Sequence, residues 1–163
     1  MKITKITTRP LWIPYKRPFH WAHGTVEAAE VILVEVETDE GLVGYGETMS
    51  SISANAVEKF LSEVANLCIG ESPFDINRLL DIAYRHIFAA RGTCSSPRFG
   101  ALVLAGLDMA LWDVVGKAAG RAIHELLGGA VRGHIQYFGF PQGGGRLTRW
   151  QRMLRSGLVV GAR

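Results

Sequence analysis

Val31-Ile32-Leu33-Val34-Glu35-Val36-Glu37-Thr38-Asp39-Glu40-Gly41-Leu42-Val43-Gly44-Tyr45-Gly46-Glu47 is the stretch whose reading decides the fold. Ile32, Val34 and Val36 share one face of a period-two pattern, which predicts a strand over residues 27–38. Asp39-Glu40-Gly41 reads as a hairpin turn, with Gly41 suited to a positive φ. Residues 42–47 then return as a third strand. Upstream, Met1-Lys2-Ile3-Thr4-Lys5-Ile6-Thr7 alternates, and Ile3, Ile6, Leu11 and Trp12 anchor a first strand over 2–12. Turns this short exclude a parallel crossover, so the three strands are expected to form an antiparallel meander. Between the first two lies an expected irregular segment, residues 15–24, rich in aromatics and imidazoles.

Beyond residue 50 the hydrophobic period changes. Val57, Phe60, Leu61, Val64 and Cys68 recur at helical spacing, predicting a helix over about 54–69 that stops near Gly70. Ser72-Pro73 carries the signature of a capped helix start, with proline at the first helical position, for a second helix over about 73–91. Its stripe is Ile76, Leu79, Leu80, Ala83, Ile87 and Ala90, and Gly92 closes it. Ser96-Pro97 repeats the signal. Val103, Leu107, Ala110, Leu111, Val114 and Ala118 predict a third helix over about 97–119, stopped by Gly120. A short helix at about 121–127 ends at Gly128-Gly129. Strands followed by helices indicate an α+β fold: a three-stranded antiparallel meander and then a helical bundle.

With 163 residues, 48% hydrophobic and 20% charged, the chain has an ordinary globular composition. No run of about 18 apolar residues predicts a membrane span. The N-terminus alternates like a strand rather than reading as a signal peptide, so a cytoplasmic location is expected. Cys68 and Cys94 lack metal-ligand spacing and read as two reduced thiols. The net charge of +3 is unevenly spread. Arg146, Arg149, Arg152, Arg155 and Arg163 give residues 143–163 a charge of +5 with no acid, and the rest of the chain carries −2. The body has no basic stripe with interleaved aromatics, so neither nucleic acid nor membrane is an expected partner.

Leu107-Asp108-Met109-Ala110-Leu111-Trp112-Asp113-Val114-Val115-Gly116-Lys117-Ala118-Ala119-Gly120, followed by Glu125-Leu126-Leu127-Gly128-Gly129, resembles the enolase superfamily. More narrowly it is similar to the mandelate racemase/muconate lactonizing enzyme group. Gly41-Leu42-Val43-Gly44-Tyr45-Gly46-Glu47 matches that group's G-x-x-G-x-G-E hairpin. Ala122 departs from a proline usual in the family, a mild change at a helix start. The resemblance implies an N-terminal capping domain over residues 1–130 and a stub of the first strand of a (β/α) barrel over 131–142, with Ile135–Phe140 as its strand. Residues 143–163 match no part of the family pattern and are expected to be an anomalous tail, best explained by a shifted reading frame.

The family's reactions begin with removal of the proton α to a carboxylate, with Mg²⁺ stabilising the enolate. They include racemases, cycloisomerases and acid-sugar dehydratases, hence isomerases and lyases. The lysine or histidine bases and three carboxylate ligands come from the barrel, which takes about 250 residues. No Lys-x-Lys occurs here, and no lysine follows Lys117. The expectation is therefore a C-terminally truncated capping domain with no catalytic residue, metal ligand or cofactor of its own; Mg²⁺ is expected for an intact member. A small-molecule carboxylate is expected as ligand only if a barrel completes the chain. Two alternatives stand beside this: a standalone interaction module using the cap fold and basic tail, and a half-enzyme completed by a separate barrel chain. Self-association through the uncovered barrel-facing surface is expected.

In the family, the segment corresponding to 15–24 closes over the barrel mouth. The resemblance thus implies a substrate-facing role for Phe19, His20, Trp21 and His23, and for Ser51 in a second loop after the third strand. The remaining candidates read as structural. Glu47 is a lone carboxylate at a strand end. Asp108 and Asp113 lie about 140° apart around a helix and cannot share an ion. His86 and His124 are lone imidazoles on helices.

Overall fold

A computed structural model of the chain describes residues 1–21, 23–49, 53–86 and 97–135. Three strands form one antiparallel sheet in the order β1-β2-β3: β1 (Ile3–Trp21), β2 (Gly24–Thr38) and β3 (Val43–Met49). Four helices follow: α1 (Ala54–Asn66), α2 (Ile76–Tyr84), α3 (Pro97–Ala119) and α4 (Ile123–Leu126). The chain divides into two compact parts. Among the described residues, one lies within Met1–Ile13 and Glu30–Val131, and the other within Pro14–Ala29 and 132–135.

The first part holds the core. In β2 and β3 alternate residues are buried, as the period-two pattern requires. The ladder pairs Ile32 with Thr48, Val34 with Gly46 and Val36 with Gly44. Those residues face the helical layer. Ile3, Ile32, Val34 and Val36 from the sheet meet Val57, Leu61, Val64 and Cys68 of the first helical stretch, Leu79 of α2, and Val103, Leu107, Leu111 and Val114 of α3. Nearly every residue of the sequence stripes that lies within the described residues is buried here or packed against this cluster.

Contact between β3 and α3 is backbone against backbone. A Cβ added at Gly46 would lie 2.0 Å from the carbonyl oxygen of Gly106, and one at Gly44 would lie 2.2 Å from that of Ala110. From the helix side, a Cβ at Gly106 would meet Val34 Cγ2 at 2.9 Å. Next in the same row, the buried Thr48 donates its hydroxyl to the carbonyl of Leu102 at 2.6 Å. The glycines of the G-x-x-G-x-G-E hairpin thus divide the labour. Gly41, at φ 79°, makes the turn, and Gly44 and Gly46 admit the helix.

Three sequence expectations are corrected. Residues 15–21 are strand rather than irregular chain, because β1 runs on to Trp21 and pairs with β2. The second helix starts at Ile76, not at Pro73. Ser72 serves a turn instead: its hydroxyl accepts the Phe74 N–H at 3.3 Å and its carbonyl accepts that of Asp75 at 3.1 Å. The first helix ends at Asn66, and turns carry the chain on to Gly70. There Gly70 and Glu71 bond the backbone of Ile3 at 2.8 and 2.9 Å, covering that end of the edge strand. The expected barrel strand at 135–140, apart from Ile135, lies outside the described residues, as do the tail at 143–163, Gly92 and Ser51.

Candidate functional site

The β1–β2 hairpin carries most of the residues expected to face a substrate. Gly24, at φ 142°, lies where β2 begins, in backbone that L side chains rarely adopt. Beside it the two strands are joined through side chains, since His20 Nδ1 and Thr25 Oγ1 are 2.9 Å apart. Phe19 is half-buried, and His20 and His23 are exposed. Trp21 belongs to β1 by its backbone, and its side chain is outside the described residues.

Tyr15, Lys16, Arg17 and Phe19 line a concavity of about 530 Å³ on this hairpin. Of the expected residues it therefore includes Phe19 and not His20 or His23. Lys16 and Arg17 were not singled out by sequence reasoning. The available signal was a pair of cations bracketed by Pro14 and Pro18 on a strand whose other cations each have an acid opposite. Lys5 pairs with Glu37 at 3.0 Å and Arg9 with Glu35 at 2.9 Å. Among the described residues, neither Lys16 nor Arg17 has an ion-pair partner.

The two aspartates of α3 do separate work. Asp113 Oδ2 accepts the Tyr45 backbone N–H at 2.8 Å and Lys117 Nζ at 2.7 Å. Lys117 also donates to the Val43 carbonyl at 2.6 Å and sits 4.8 Å from the centre of the Tyr45 ring. This clasp satisfies backbone groups of the edge strand β3 and ties it to the helix. Asp108 is one turn before Trp112, which donates a hydrogen bond to it; partial burial dominates and holds its carboxyl above the usual range. Glu47 is exposed on β3, opposite Leu33 in the ladder. His86 approaches Glu63 at 3.7 Å, and His124 is exposed on α4. Cys68 is buried in the core, where desolvation and the nearby Glu71 push its thiol up to about 11, which suppresses nucleophilicity.

Among the described residues, no group of three His, Cys, Asp or Glu side chains could hold a metal ion. They do not fit a Mg²⁺ site, which needs converging oxygen ligands. Nor, among them, is any helix long and apolar enough to cross a membrane.

Residues 2–128 match the family described as the mandelate racemase / muconate lactonizing enzyme, N-terminal domain. A D-galactonate dehydratase from Pectobacterium atrosepticum is 36% identical over 143 residues, covering 88% of this chain and 32% of that protein. The chain spans about a third of the length of the curated relatives it matches. A solved member of the enolase superfamily from Polaromonas sp. JS666 superposes with a TM-score of 0.70 at 33% identity, over 81% of this chain and 34% of that one. An enolase from Bradyrhizobium, complexed with magnesium and mandelic acid, gives 0.68 at 28% identity, over 80% and 36%. A three-stranded meander closed by backbone contact onto a long helix, together with these matches, places the chain in the mandelate racemase/muconate lactonizing enzyme family of the enolase superfamily, with residues 2–128 as its N-terminal domain.

Proposed function

We propose that this chain is the capping and substrate-selecting domain of an enzyme that removes the proton α to a carboxylate, and that alone it is inactive. The observation that carries the reading is the match of residues 2–128 to the family's N-terminal domain. Such chemistry needs concentrated positive charge and a positioned base at the developing enolate. Mg²⁺ supplies that charge in an intact enzyme, and its ligands would come from elsewhere than the described residues. What this chain contributes is selection and exclusion of water. Phe19 and His20 sit on a hairpin held by the His20–Thr25 contact, so its side chains present a defined surface to a ligand. The reaction is proposed to be an isomerisation or an elimination. The relatives named as D-galactonate dehydratases support the second, and the family name supports the first. A cytoplasmic location is proposed with it.

The test is a domain exchange. Residues 2–128 replace the equivalent cap of the Pectobacterium D-galactonate dehydratase, and α-proton exchange into deuterium is measured over a panel of 2-hydroxy and sugar acids. The expected result is exchange retained with an altered acid preference. A folded chimera with an unaltered preference would refute the selecting role. For the chain alone with Mg²⁺, the expected result is no exchange above buffer. Exchange that His20→Ala abolishes would overturn the inactive reading.

A further inference from the structure

The helices cover one face of the sheet. Ile32, Val34 and Val36 of β2 and Gly44, Gly46 and Thr48 of β3 look toward them, so Leu33, Glu35 and Glu37, and Tyr45, Glu47 and Met49, look the other way. Lys5 and Arg9 of β1 belong to this outer face, because they pair with Glu37 at 3.0 Å and Glu35 at 2.9 Å. Tyr45 and Met49 are left 50% and 55% exposed on it. The face is ordered from side to side. Cations stand on β1, and Leu33 lies between the sides on β2. On the far side β3 carries Tyr45 and Glu47, a carboxylate with no ion-pair partner among the described residues. Glu35 sets the two sides level with each other, as the ladder partner of Tyr45 and the ion-pair partner of Arg9.

We propose that this outer face docks a second copy of the chain, sheet on sheet, about a two-fold axis running along β2. An acid at one side and cations at the other make the face complementary to itself under that operation. The axis lays β3 of one copy over β1 of the other and returns β2 onto its counterpart. At the level of Glu35, the Tyr45 ring meets the Arg9 guanidinium of the second copy, a cation–π contact. Glu47 lies two residues and about 7 Å further along, within reach of the same long side chain. Leu33 meets Leu33 between the two ends. Glu35 and Glu37 also approach their counterparts, but each is neutralised by a cation of its own copy. Lys117, 4.8 Å from the Tyr45 ring, is likewise neutralised by Asp113 at 2.7 Å and does not repel Arg9. Three strand spacings by the seven residues of β3 give a footprint of about 14 Å by about 23 Å, well below the ~800 Å² per partner of a standard interface. Association is therefore weak, with a dissociation constant on the order of 10⁻⁵ to 10⁻⁴ M. It is independent of which acid the β1–β2 hairpin selects.

The full chain is followed by sedimentation equilibrium from about 10 µM to about 1 mM, as wild type, as Arg9→Glu and as Glu47→Lys. Each variant alone opposes like charges across the axis, so each is expected to weaken dimerisation at least about fivefold. In an equimolar mixture each variant supplies the charge that the other lacks, and the mixture is expected to dimerise at least about threefold more tightly than either variant. Both side chains are exposed, and unchanged circular dichroism of the variants shows that folding is intact. Arg9→Gln, which sets no like charge against Glu35, is expected to weaken the dimer with the sheet undisturbed. A chain that stays monomeric at about 1 mM would give this face to a different partner and overturn the proposal. Dimers indifferent to both charge reversals, including dimers that respond only to deletion of residues 131–163, would overturn it too. So would a mixture no stronger than its components.

Discussion

Gly46→Ala tests the contact on which the meander and the helices depend. The added methyl would sit 2.0 Å from the Gly106 carbonyl oxygen, 2.7 Å from the Ala110 nitrogen and 3.0 Å from the Gly106 carbonyl carbon. All three are backbone atoms of α3, so no side chain can swing aside. Carbon and oxygen in contact stay about 3.2 Å or more apart, so helix and strand must separate by more than 1 Å at this point. The same helix carries Val103, Leu107, Leu111 and Val114, each with no exposed surface. Separation loosens all of them at once. Overpacking a core costs about 1–3 kcal/mol, and this case belongs at the upper end or beyond it, against a total stability of about 5–15 kcal/mol. Urea unfolding followed by far-ultraviolet circular dichroism measures the loss. Gly41→Ala is the first control: nothing lies within 4 Å of its Cβ, but φ is 79°, so the backbone alone should cost about 1–2 kcal/mol. Gly133→Ala is the second, with open space and no such φ, and should cost almost nothing. A loss below about 1 kcal/mol for Gly46→Ala, or one no larger than that of Gly133→Ala, would refute the packing argument.

Removing the acceptor in Asp113→Ala leaves the Tyr45 N–H and Lys117 without their partner, and urea unfolding should show a loss of about 1–2 kcal/mol; Asp113→Glu, whose carboxylate cannot keep the same reach, should fall between. Because desolvation raises the Asp108 carboxyl, the native fold holds that proton more tightly than the unfolded chain does, and its contribution to stability is lost as pH rises from about 3.8 upward. Asp108→Asn should therefore be neutral or stabilising at pH 7 and should flatten the acid limb of a stability–pH profile. Cys68, held at about 11 against an ordinary 9.0, should resist alkylation at pH 8 until urea unfolds the chain, and the stability linked to it should decline only as pH climbs from 9 toward 11. Leu127 and Val131 are 63% and 92% exposed, so we propose that the free chain self-associates. Sedimentation should then depend on concentration, and deletion of residues 131–163 should reduce that dependence; an unfolded deletion product would count against the proposal.

Most of the fold was legible because its core faces obey two clean periods. β2 and β3 alternate, the helices repeat every three or four residues, and the switch near residue 50 divides sheet from helix. Local signals were less dependable where one residue type can serve two structures. Ser72-Pro73 has the chemistry of a helix start, yet the Ser72 hydroxyl is used by a turn, and α2 begins three residues later. The outer half of β1 was illegible for a different reason. From Pro10 to Pro18 its residues are exposed on both faces, so no alternation marks the strand. What makes it a strand is its pairing with β2, which no local pattern records.

The site divides along the same line. The residues that identify the family are scaffold: Gly41 turns the chain, Gly44 and Gly46 admit the helix, and Asp113 holds the strand edge. None of these needs to touch a ligand, and any substrate could be served by a cap packed in this way. Lys16 and Arg17 lie outside that motif and do nothing for the core. Both line the concavity with Tyr15 and Phe19. It follows that identity to a named relative, where it rests on the packing residues, carries information about the fold rather than about the acid selected. Substrate preference should instead move with substitutions from Tyr15 to Phe19 and stay fixed under substitutions that preserve the β3–α3 contact.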